Sequence, residues 1–433
     1  MSLVSRGAAV VVQRAGLAWM VDTYMTDEID FDALAGIGLG GAMRDQLACG
    51  VADPEARPMR LLEIQRDHLL LHDGQRAHRA RCANALAQDL HAQGETLAVG
   101  DWVLATPDNP TGAAAAWHIT CRLLPHSQIS RRTTDGRSSD GRAGAQRQAL
   151  VSNVDTALLV MGLDADFNLR RLERYAALVQ SAGMAGQASL QMAAGVTAVL
   201  VLSKADMVDT ALCAQRRHQA LAVLPPGMVV LALDVRQPSA AQALAPWLSR
   251  GQTLVLLGSS GAGKSTLCNT LLQAFSDRFC ETAPSGGWRQ SSPSTYAPPR
   301  LTGGVRLDDS RGRHTTTVRT LLPLPGAACI IDTPGLRALR LDVDRADDLA
   351  QVFGDVARWA PMCHFRDCQH QLEPGCAVRD AVPALRLRNF HKLLREAQRD
   401  TPGSALRQAL RAQWKSRSRH ALMRLRAKRE SGF

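Results

Sequence analysis

The chain lacks any long uninterrupted apolar segment, although 45% of its 433 residues are hydrophobic. A helix that spans a bilayer needs about 18 or more consecutive apolar residues, so the sequence argues against a membrane-spanning protein. A secretory signal is also missing, because Gln13, Arg14 and Gly16 interrupt the N-terminal apolar stretch and no small-residue cleavage site is evident. We expect the first residues to be a disordered leader or an over-extended gene start, with Met20 or Met25 as the true start.

A regular cysteine framework is absent as well. Of the ten cysteines, seven are scattered along the chain and three lie close together between Cys363 and Cys376. Scattered cysteines in a long chain are typical of a reducing compartment, whereas a tight group indicates a metal site. We therefore expect a cytoplasmic protein, and a monomer is the simplest assumption about its oligomeric state.

Acidic residues are scarce near the C-terminus. From Arg386 to Phe433 the chain carries 14 lysines and arginines and 3 acidic residues, a net charge of +11 that equals the charge of the whole chain. The remainder is therefore neutral overall. A neutral body with a basic tail favours a polyanionic partner, most simply nucleic acid. A solvated helix with no partner is the alternative interpretation.

The chain is too long for a single core and predicts a multidomain protein. Residues 1–57 carry little pattern and are a poorly defined leader. Short strands and a glycine turn in residues 58–133 predict an oligonucleotide-binding-type β-barrel of about five strands. Residues 150–345 alternate strands with helices, which predicts an α/β domain with a doubly wound parallel sheet. Residues 346–433 combine the cysteine group with a basic helical tail, and predict a small zinc-binding helical domain.

A complete phosphate-binding loop follows the apolar strand Thr253–Leu257 and opens a helix. Its glycines let the backbone turn its N–H groups inward around a phosphate, and the helix N-terminus adds partial positive charge. Lys264 is expected to reach the β- and γ-phosphates, and Ser265 to ligate Mg²⁺. The predicted nucleotide contacts are Gly258, Ser259, Ser260, Gly261, Ala262, Gly263, Lys264, Ser265 and Thr266.

A second motif, Asp332-Thr-Pro-Gly335, ends another apolar strand. Asp332 is placed to hold Mg²⁺, through water, and the Gly335 N–H to contact the γ-phosphate. Between the two motifs lies the switch segment Gly312–Thr317, where a threonine completes the magnesium coordination when a triphosphate is bound. The sequence does not distinguish its three threonines. Thr315 and Thr316 are the candidate GTP contacts, and Thr316 is the candidate magnesium ligand.

The base-reading motif is Ser203-Lys204-Ala205-Asp206, which precedes the phosphate loop. The Asp206 carboxylate can accept hydrogen bonds from both N1–H and the exocyclic amine of guanine, which adenine cannot match, and the stem of Lys204 can lie over the base. Most GTPases place the phosphate loop first and the base motif late. The order base, phosphate, switch therefore predicts a circularly permuted P-loop GTPase.

The residue after Gly335 is Leu336, where ordinary GTPases carry a glutamine that orients the attacking water. A leucine side chain makes no hydrogen bond, so hydrolysis needs another group. His314, in the switch segment, is the candidate catalytic residue that orients or polarises water. The alternative is that His314 only shapes the loop.

The cysteine group has the spacing of a closed zinc site. Three thiolates and one imidazole give a tetrahedral, structural site with no open coordination position. His364 is a competing imidazole, but it adjoins the first cysteine and would strain the geometry. The predicted ligands are Cys363, Cys368, His370 and Cys376.

Together these motifs resemble the ribosome small-subunit-dependent GTPase A family of circularly permuted GTPases. The likeness runs from about Arg60 to the C-terminus. The residues that carry it are Val99–Trp102, Asp166–Tyr175, the phosphate loop, Gly312–Thr317, Asp332–Gly335 and Cys363–Cys376.

The resemblance implies an oligonucleotide-binding barrel, a permuted GTPase domain and a zinc domain, all contacting the small ribosomal subunit and its 16S rRNA. It also implies that GTP hydrolysis promotes release, with His314 as the catalytic histidine. Three features depart from the family: Ser203 replaces an asparagine, Leu233-Asp234 replaces a Ser-Ala base loop, and the connection 284–312 is long.

Two other functions remain open from the sequence. The first is a nucleotide-gated RNA-binding scaffold that scarcely hydrolyses GTP, which the altered base motifs suggest. The second is a P-loop ATPase or kinase, against which Asp206 predicts that ATP competes poorly.

Overall fold

The computed structural model describes residues 29–48, 53, 55–108, 116–133, 146–182, 195–282, 319–333, 349 and 352–399. Near the N-terminus are two short helices, α1 (Phe31–Ala35) and α2 (Gly41–Ala48). The side chain of Asp30 caps α1 by accepting the Ala33 N–H at 2.9 Å. Apolar side chains of this segment, such as Met43, bury themselves against Trp102.

A closed five-stranded barrel follows, and it confirms that part of the predicted fold. Its strands pair in the order β1-β2-β3-β5-β4, and β4 closes back onto β1. The interior is apolar: Met59, Leu71 and Ile119 are fully buried. The strands are β1 (Arg57–Ile64), β2 (Leu69–His72), β3 (Ala77–Cys82), β4 (Trp102–Pro107) and β5 (Trp117–Arg122), with helix α3 (Asn84–Ala92) between β3 and β4.

An antiparallel ribbon connects the barrel to the next sheet. It consists of β6 (Gln128–Thr133) and β7 (Gln146–Ser152). At the end of β7, the Asn153 amide donates to the Gly100 carbonyl at 3.0 Å, which ties the ribbon to the turn before β4.

A six-stranded sheet forms the centre of the α/β region, in the order β10-β9-β8-β11-β13-β12. It is parallel except for β12, which runs antiparallel to β13. β12 also meets β1 of the barrel, through the pair Glu63 and Thr320. The strands are β8 (Thr156–Gly162), β9 (Thr197–Ser203), β10 (Val229–Ala232), β11 (Thr253–Gly258), β12 (Thr320–Pro323) and β13 (Cys329–Asp332).

Helices cover both faces of this sheet, as a doubly wound fold requires. Every residue of β8 is buried, and alternate side chains serve the two faces. Leu159 packs into the cluster that contains α4, whereas Leu158 packs into the cluster that contains α6 and α7. The helices are α4 (Leu169–Ala182), α5 (Thr210–Val223), α6 (Ser239–Leu244) and α7 (Lys264–Thr282).

The C-terminal part of the described chain is a small helical module around the cysteines. It contains α8 (Gly354–Trp359), α9 (Ala377–Ala381) and α10 (Ala384–Arg399). Arg386 on α10 donates to the carboxylate of Glu173 on α4, and pairs with Asp355 on α8 through Nη2–Oδ1 at 3.0 Å. Burial raises the pKa of Glu173, and Arg386 opposes that shift. This ion cluster joins the module to the sheet.

A buried arginine joins three parts of the chain. The Arg60 guanidinium donates to the carbonyls of Ile37 (2.8 Å), Gly38 (2.7 Å), Asn153 (3.0 Å) and Gly100 (3.3 Å). Its burial lowers its pKa. The N-terminal helices, the barrel and the start of the six-stranded sheet therefore meet at a single side chain. None of the described helices has the length and apolarity to cross a membrane.

Candidate nucleotide-binding site

The phosphate loop lies between β11 and α7, at the centre of the carboxyl edge of the sheet. Gly261 and Gly263 have φ of +82° and +94°, values that favour glycine. At Gly258 a Cβ atom would lie 2.3 Å from the Val160 carbonyl oxygen of the neighbouring strand β8. The glycine positions of the loop are thus fixed by backbone conformation and by close packing.

Lys264 is buried within this loop. Its ammonium group donates to the carbonyls of Gly258 at 3.0 Å and Ser259 at 2.6 Å. Burial lowers the pKa of Lys264 to about 8, although the carboxylates of Asp332 and Asp166 act in the opposite direction. The ammonium group is therefore held inside the loop by two of the loop's own carbonyls.

Asp332 and Ser265 lie side by side at the ends of adjacent elements. Asp332 is fully buried at the end of β13 and pairs with Leu256 of β11, while Ser265 lies in the first turn of α7. The Ser265 hydroxyl lies 3.5 Å from Asp332 Oδ2. A hydroxyl and a carboxylate at this spacing are oxygen donors of the kind that Mg²⁺ prefers.

The base motif follows β9, two strands away from the phosphate loop. The buried Ser203 hydroxyl donates to the Ala262 carbonyl at 2.6 Å, so it links the motif directly to the phosphate loop. Lys204 has a left-handed backbone (φ 60°), and its ammonium group contacts Asp164 Oδ2 at 2.6 Å. Ala205 and Asp206 lie in the 3-10 turn that follows. Asp206 Oδ2 accepts a hydrogen bond from Arg236 at 2.7 Å.

Asp166 is a residue of the site to which the sequence assigned no role. Its carboxylate accepts the Ser259 hydroxyl at 2.7 and 2.8 Å and the Gly162 N–H at 3.2 Å, and it pairs with Arg171. Asp166 thereby ties the loop after β8 to the phosphate loop. The sequence signal for Asp166 was its position at the start of Asp166–Tyr175, one of the segments that resemble the family. No local sequence pattern indicates that its partner is Ser259.

The switch residues of the predicted site lie outside the described residues. These are His314, Thr315, Thr316 and Gly335. Next to them in the chain, the Thr333 hydroxyl donates to the Leu256 carbonyl at 2.5 Å, which fixes the start of the segment that follows Asp332.

The four predicted zinc ligands lie together in the C-terminal module. The atoms that would bind a metal all lie within 4.8 Å of one another in Cys363, Cys368, His370 and Cys376. His370 Nδ1 lies 3.5 Å from the sulfurs of Cys363 and Cys376, and those sulfurs are 3.9 Å apart. Tetrahedral zinc with ordinary bond lengths separates S and N ligands by about 3.5 Å and two S ligands by about 3.8 Å. The donor set and its spacing therefore fit zinc.

The loop between the cysteines is held in place by its own backbone. The Glu373 carboxylate accepts N–H groups from Gln369 at 2.9 Å, Gln371 at 2.8 Å and Leu372 at 3.0 Å. Hydrogen bonding from its own backbone N–H and from these three groups lowers the pKa of Glu373 to about 2. His364, the competing imidazole, packs edge-on against Phe365 with ring centroids 4.8 Å apart and does not belong to the four-residue group.

Strand order and site geometry together define the class of this protein. The base motif, the phosphate loop and Asp332 follow β9, β11 and β13, which all point to the same edge of the sheet. In the chain, the base motif comes first. The protein is a circularly permuted P-loop GTPase.

Comparison with known proteins agrees with this class. The family described as RsgA GTPase matches residues 129–342. The small ribosomal subunit biogenesis GTPase RsgA of Mesorhizobium japonicum is 37% identical over 377 residues, covering 86% of this chain and 91% of that protein. The protein of the same name from Xylella fastidiosa strain 9a5c is 40% identical over 321 residues, covering 72% of this chain and 77% of that protein. The chain belongs to the RsgA GTPase family, which confirms the resemblance found in the sequence.

The chain also matches a solved structure. The crystal structure of YjeQ from Thermotoga maritima is 19% identical, covers 79% of this chain and 99% of its own, and superposes with a TM-score of 0.48.

Proposed function

We propose that this protein hydrolyses GTP during late maturation of the small ribosomal subunit, binds that subunit through its 16S rRNA, and uses hydrolysis to drive its own release. The observation that carries the proposal is the direct link between the base motif and the phosphate loop, Ser203 to Ala262, in a chain whose relatives are named as small ribosomal subunit biogenesis GTPases. We place its action in the cytoplasm and expect a monomer.

We assign the nucleotide to the edge formed by the three strand ends. The phosphate loop would surround the phosphates, and Asp206 would accept hydrogen bonds from guanine. Ser265, Asp332 and Thr316 would hold Mg²⁺, and Thr315 and Gly335 would contact the nucleotide in its triphosphate form. Mg²⁺ would neutralise charge on the phosphate oxygens during hydrolysis.

Ser203 supports this assignment although it replaces the usual asparagine. Its hydroxyl reaches the Ala262 carbonyl at 2.6 Å, so the shorter side chain still joins the base motif to the phosphate loop. We therefore infer that guanine binding is retained in spite of the substitution.

We propose His314 as the catalytic residue, because the position of the usual glutamine is occupied by Leu336. His314→Ala is expected to lower turnover while GTP binding stays intact. Equal turnover of the variant and the unchanged protein would instead support a purely structural role for this histidine.

We divide the chain into residues 58–133 as the barrel with ribbon strand β6, 150–345 as the GTPase domain and 346–433 as a zinc domain with a basic tail. They are preceded by the leader 1–57, which contains α1 and α2. The zinc would be structural, held by Cys363, Cys368, His370 and Cys376. The tail supplies positive charge for rRNA, so we expect affinity for the subunit to fall steeply with salt. Removing residues 400–433 should flatten that dependence.

GTP turnover with and without purified ribosomal subunits tests the whole proposal. We expect small subunits to stimulate turnover strongly and large subunits to have little effect, at fixed magnesium and moderate salt. Tight GTP binding without stimulation would favour the alternative of a nucleotide-gated RNA-binding scaffold. Effective competition by ATP would exclude guanine selectivity.

A further inference from the structure

Arg236 lies in the segment that replaces the expected Ser-Ala base loop. This segment follows β10, and the Ala205 N–H of the base motif donates to the Leu233 carbonyl at 3.3 Å. The two segments are therefore in contact, although the residues that the family resemblance predicts at Leu233-Asp234 are absent. The side chain that reaches the base motif is Arg236.

The Arg236 guanidinium bridges two carboxylates. Its Nε and Nη2 donate to the two oxygens of Asp234 at 3.0 and 3.1 Å, and the same Nη2 donates to Asp206 Oδ2 at 2.7 Å. The backbone N–H of Arg236 also donates to Asp234, at 3.0 Å. Hydrogen bonding to Arg236 lowers the pKa of Asp234. The guanidinium is thus anchored on one aspartate while it holds the other.

We propose that Arg236 is a specificity-determining residue of the guanine site, which orients the Asp206 carboxylate toward the base. The inference rests on the proposed role of Asp206 in reading guanine. Two hydrogen bonds to one base edge require the carboxylate to hold one orientation, yet its side chain is 30% exposed and sits on a 3-10 turn. Each carboxylate oxygen accepts more than one hydrogen bond, so Arg236 and guanine can share Asp206.

The positive charge of Arg236 supports its role in the guanine site. Asp206 and Asp234 both contact one guanidinium, and removing it would leave two carboxylates beside a site for an anionic nucleotide. Lys204 does not replace the missing cation, because its ammonium group is paired with Asp164 at 2.6 Å. Arg236→Ala should therefore weaken the binding of all nucleotides, because a positive charge is lost. It should weaken the binding of guanine nucleotides further, because the Asp206 carboxylate is no longer oriented.

Competition between GDP and inosine diphosphate isolates the orientation effect, because inosine lacks only the exocyclic amine. Both would compete with a fluorescent GDP analogue on the full-length protein. We expect the unchanged protein to prefer GDP by about tenfold or more, as for hydrogen bonds to a charged group. Arg236→Ala should lower this preference by about two- to fivefold, the range of an exposed ion pair. Asp234→Asn, which removes the anchor, should act in the same direction.

Two further variants complete the test. Arg236→Lys keeps the charge without the fork, so it should restore overall affinity more than base preference. Arg217→Ala, at an exposed arginine on α5, should leave both unchanged. An unchanged preference in Arg236→Ala overturns the proposal, and so does tighter GDP binding, which would make Arg236 a competitor of guanine. If the unchanged protein does not distinguish the two nucleotides, the reading of guanine by Asp206 fails, and the role of Arg236 with it.

Discussion

At the scale of single residues, the lysine of the phosphate loop has a lowered pKa. Burial lowers the pKa of Lys264 from its ordinary value of 10.5 to about 8. The unfolded chain therefore binds more protons than the folded chain between these two values, so this group makes the nucleotide-free protein more stable as the pH rises through that window. Below this window the lysine is charged in both states, and the free-energy cost of burying its charge destabilises the folded protein.

Nucleotide binding should show the opposite pH dependence, because the phosphates require the charged lysine. We expect GDP affinity to fall as the pH rises above about 8, by up to about tenfold per pH unit. Titration of GDP between pH 7 and pH 9.5 would measure this slope. Lys264→Ala should bind weakly at every pH and show a flatter profile. A flat profile in the unchanged protein would contradict a lowered pKa for Lys264.

A second residue-scale prediction concerns Asp166, which holds Ser259 in the phosphate loop. Asp166→Ala leaves the Ser259 hydroxyl and the Gly162 N–H without this acceptor. Because a hydrogen bond to a charged group contributes about 1.5–3 kcal/mol, we expect GDP affinity to fall by about tenfold or more. Isothermal titration calorimetry would measure the loss. Asp277→Ala, at an exposed site on α7, is the matched control and should bind GDP normally.

At the scale of elements, the sequence predicted the parts with strong local patterns. Strands β11 and β13 were predicted from short apolar runs, and the barrel from short strands around a glycine turn. Helices α1 and α2 were not predicted, since their stability comes from burial against Trp102, more than 50 residues away. Arg60 shows the same limit, because its acceptors include Ile37 and Asn153, which no local pattern connects to it. The partner of Asp206 was missed for this reason too.

The cysteine loop is an element whose order we expect to depend on zinc. The loop is short. It is held by backbone hydrogen bonds to the Glu373 carboxylate and carries four side chains whose donor atoms fit one zinc ion. Cys368→Ser should abolish stoichiometric zinc and expose the loop to proteolysis, whereas His364→Ala should retain the metal. Zinc content by mass spectrometry and limited proteolysis would show both effects. Normal zinc content in Cys368→Ser would exclude this residue as a ligand.

At the scale of the whole molecule, the cysteine module is joined to the GTPase sheet by charges and not by apolar contact alone. Glu173 on α4 is 2% exposed, and it receives hydrogen bonds from Arg386 and Asn389 of α10. Helix α4 begins just after the loop that holds Asp166 against the phosphate loop. A path of direct contacts thus runs from Ser259 through α4 to the module.

Removing one partner of this ion cluster should therefore destabilise the folded protein. Arg386→Ala leaves Glu173 and Asp355 without their shared cation, and an uncompensated buried charge typically costs about 3–5 kcal/mol. Urea unfolding would measure the loss. Arg388→Ala, an exposed arginine two residues away on the same helix, should change stability by less than about 0.5 kcal/mol. Glu173→Gln should cost less than Arg386→Ala, since it removes the buried negative charge itself. If Arg386→Ala and Arg388→Ala were equally stable, apolar packing alone would hold the module on the sheet.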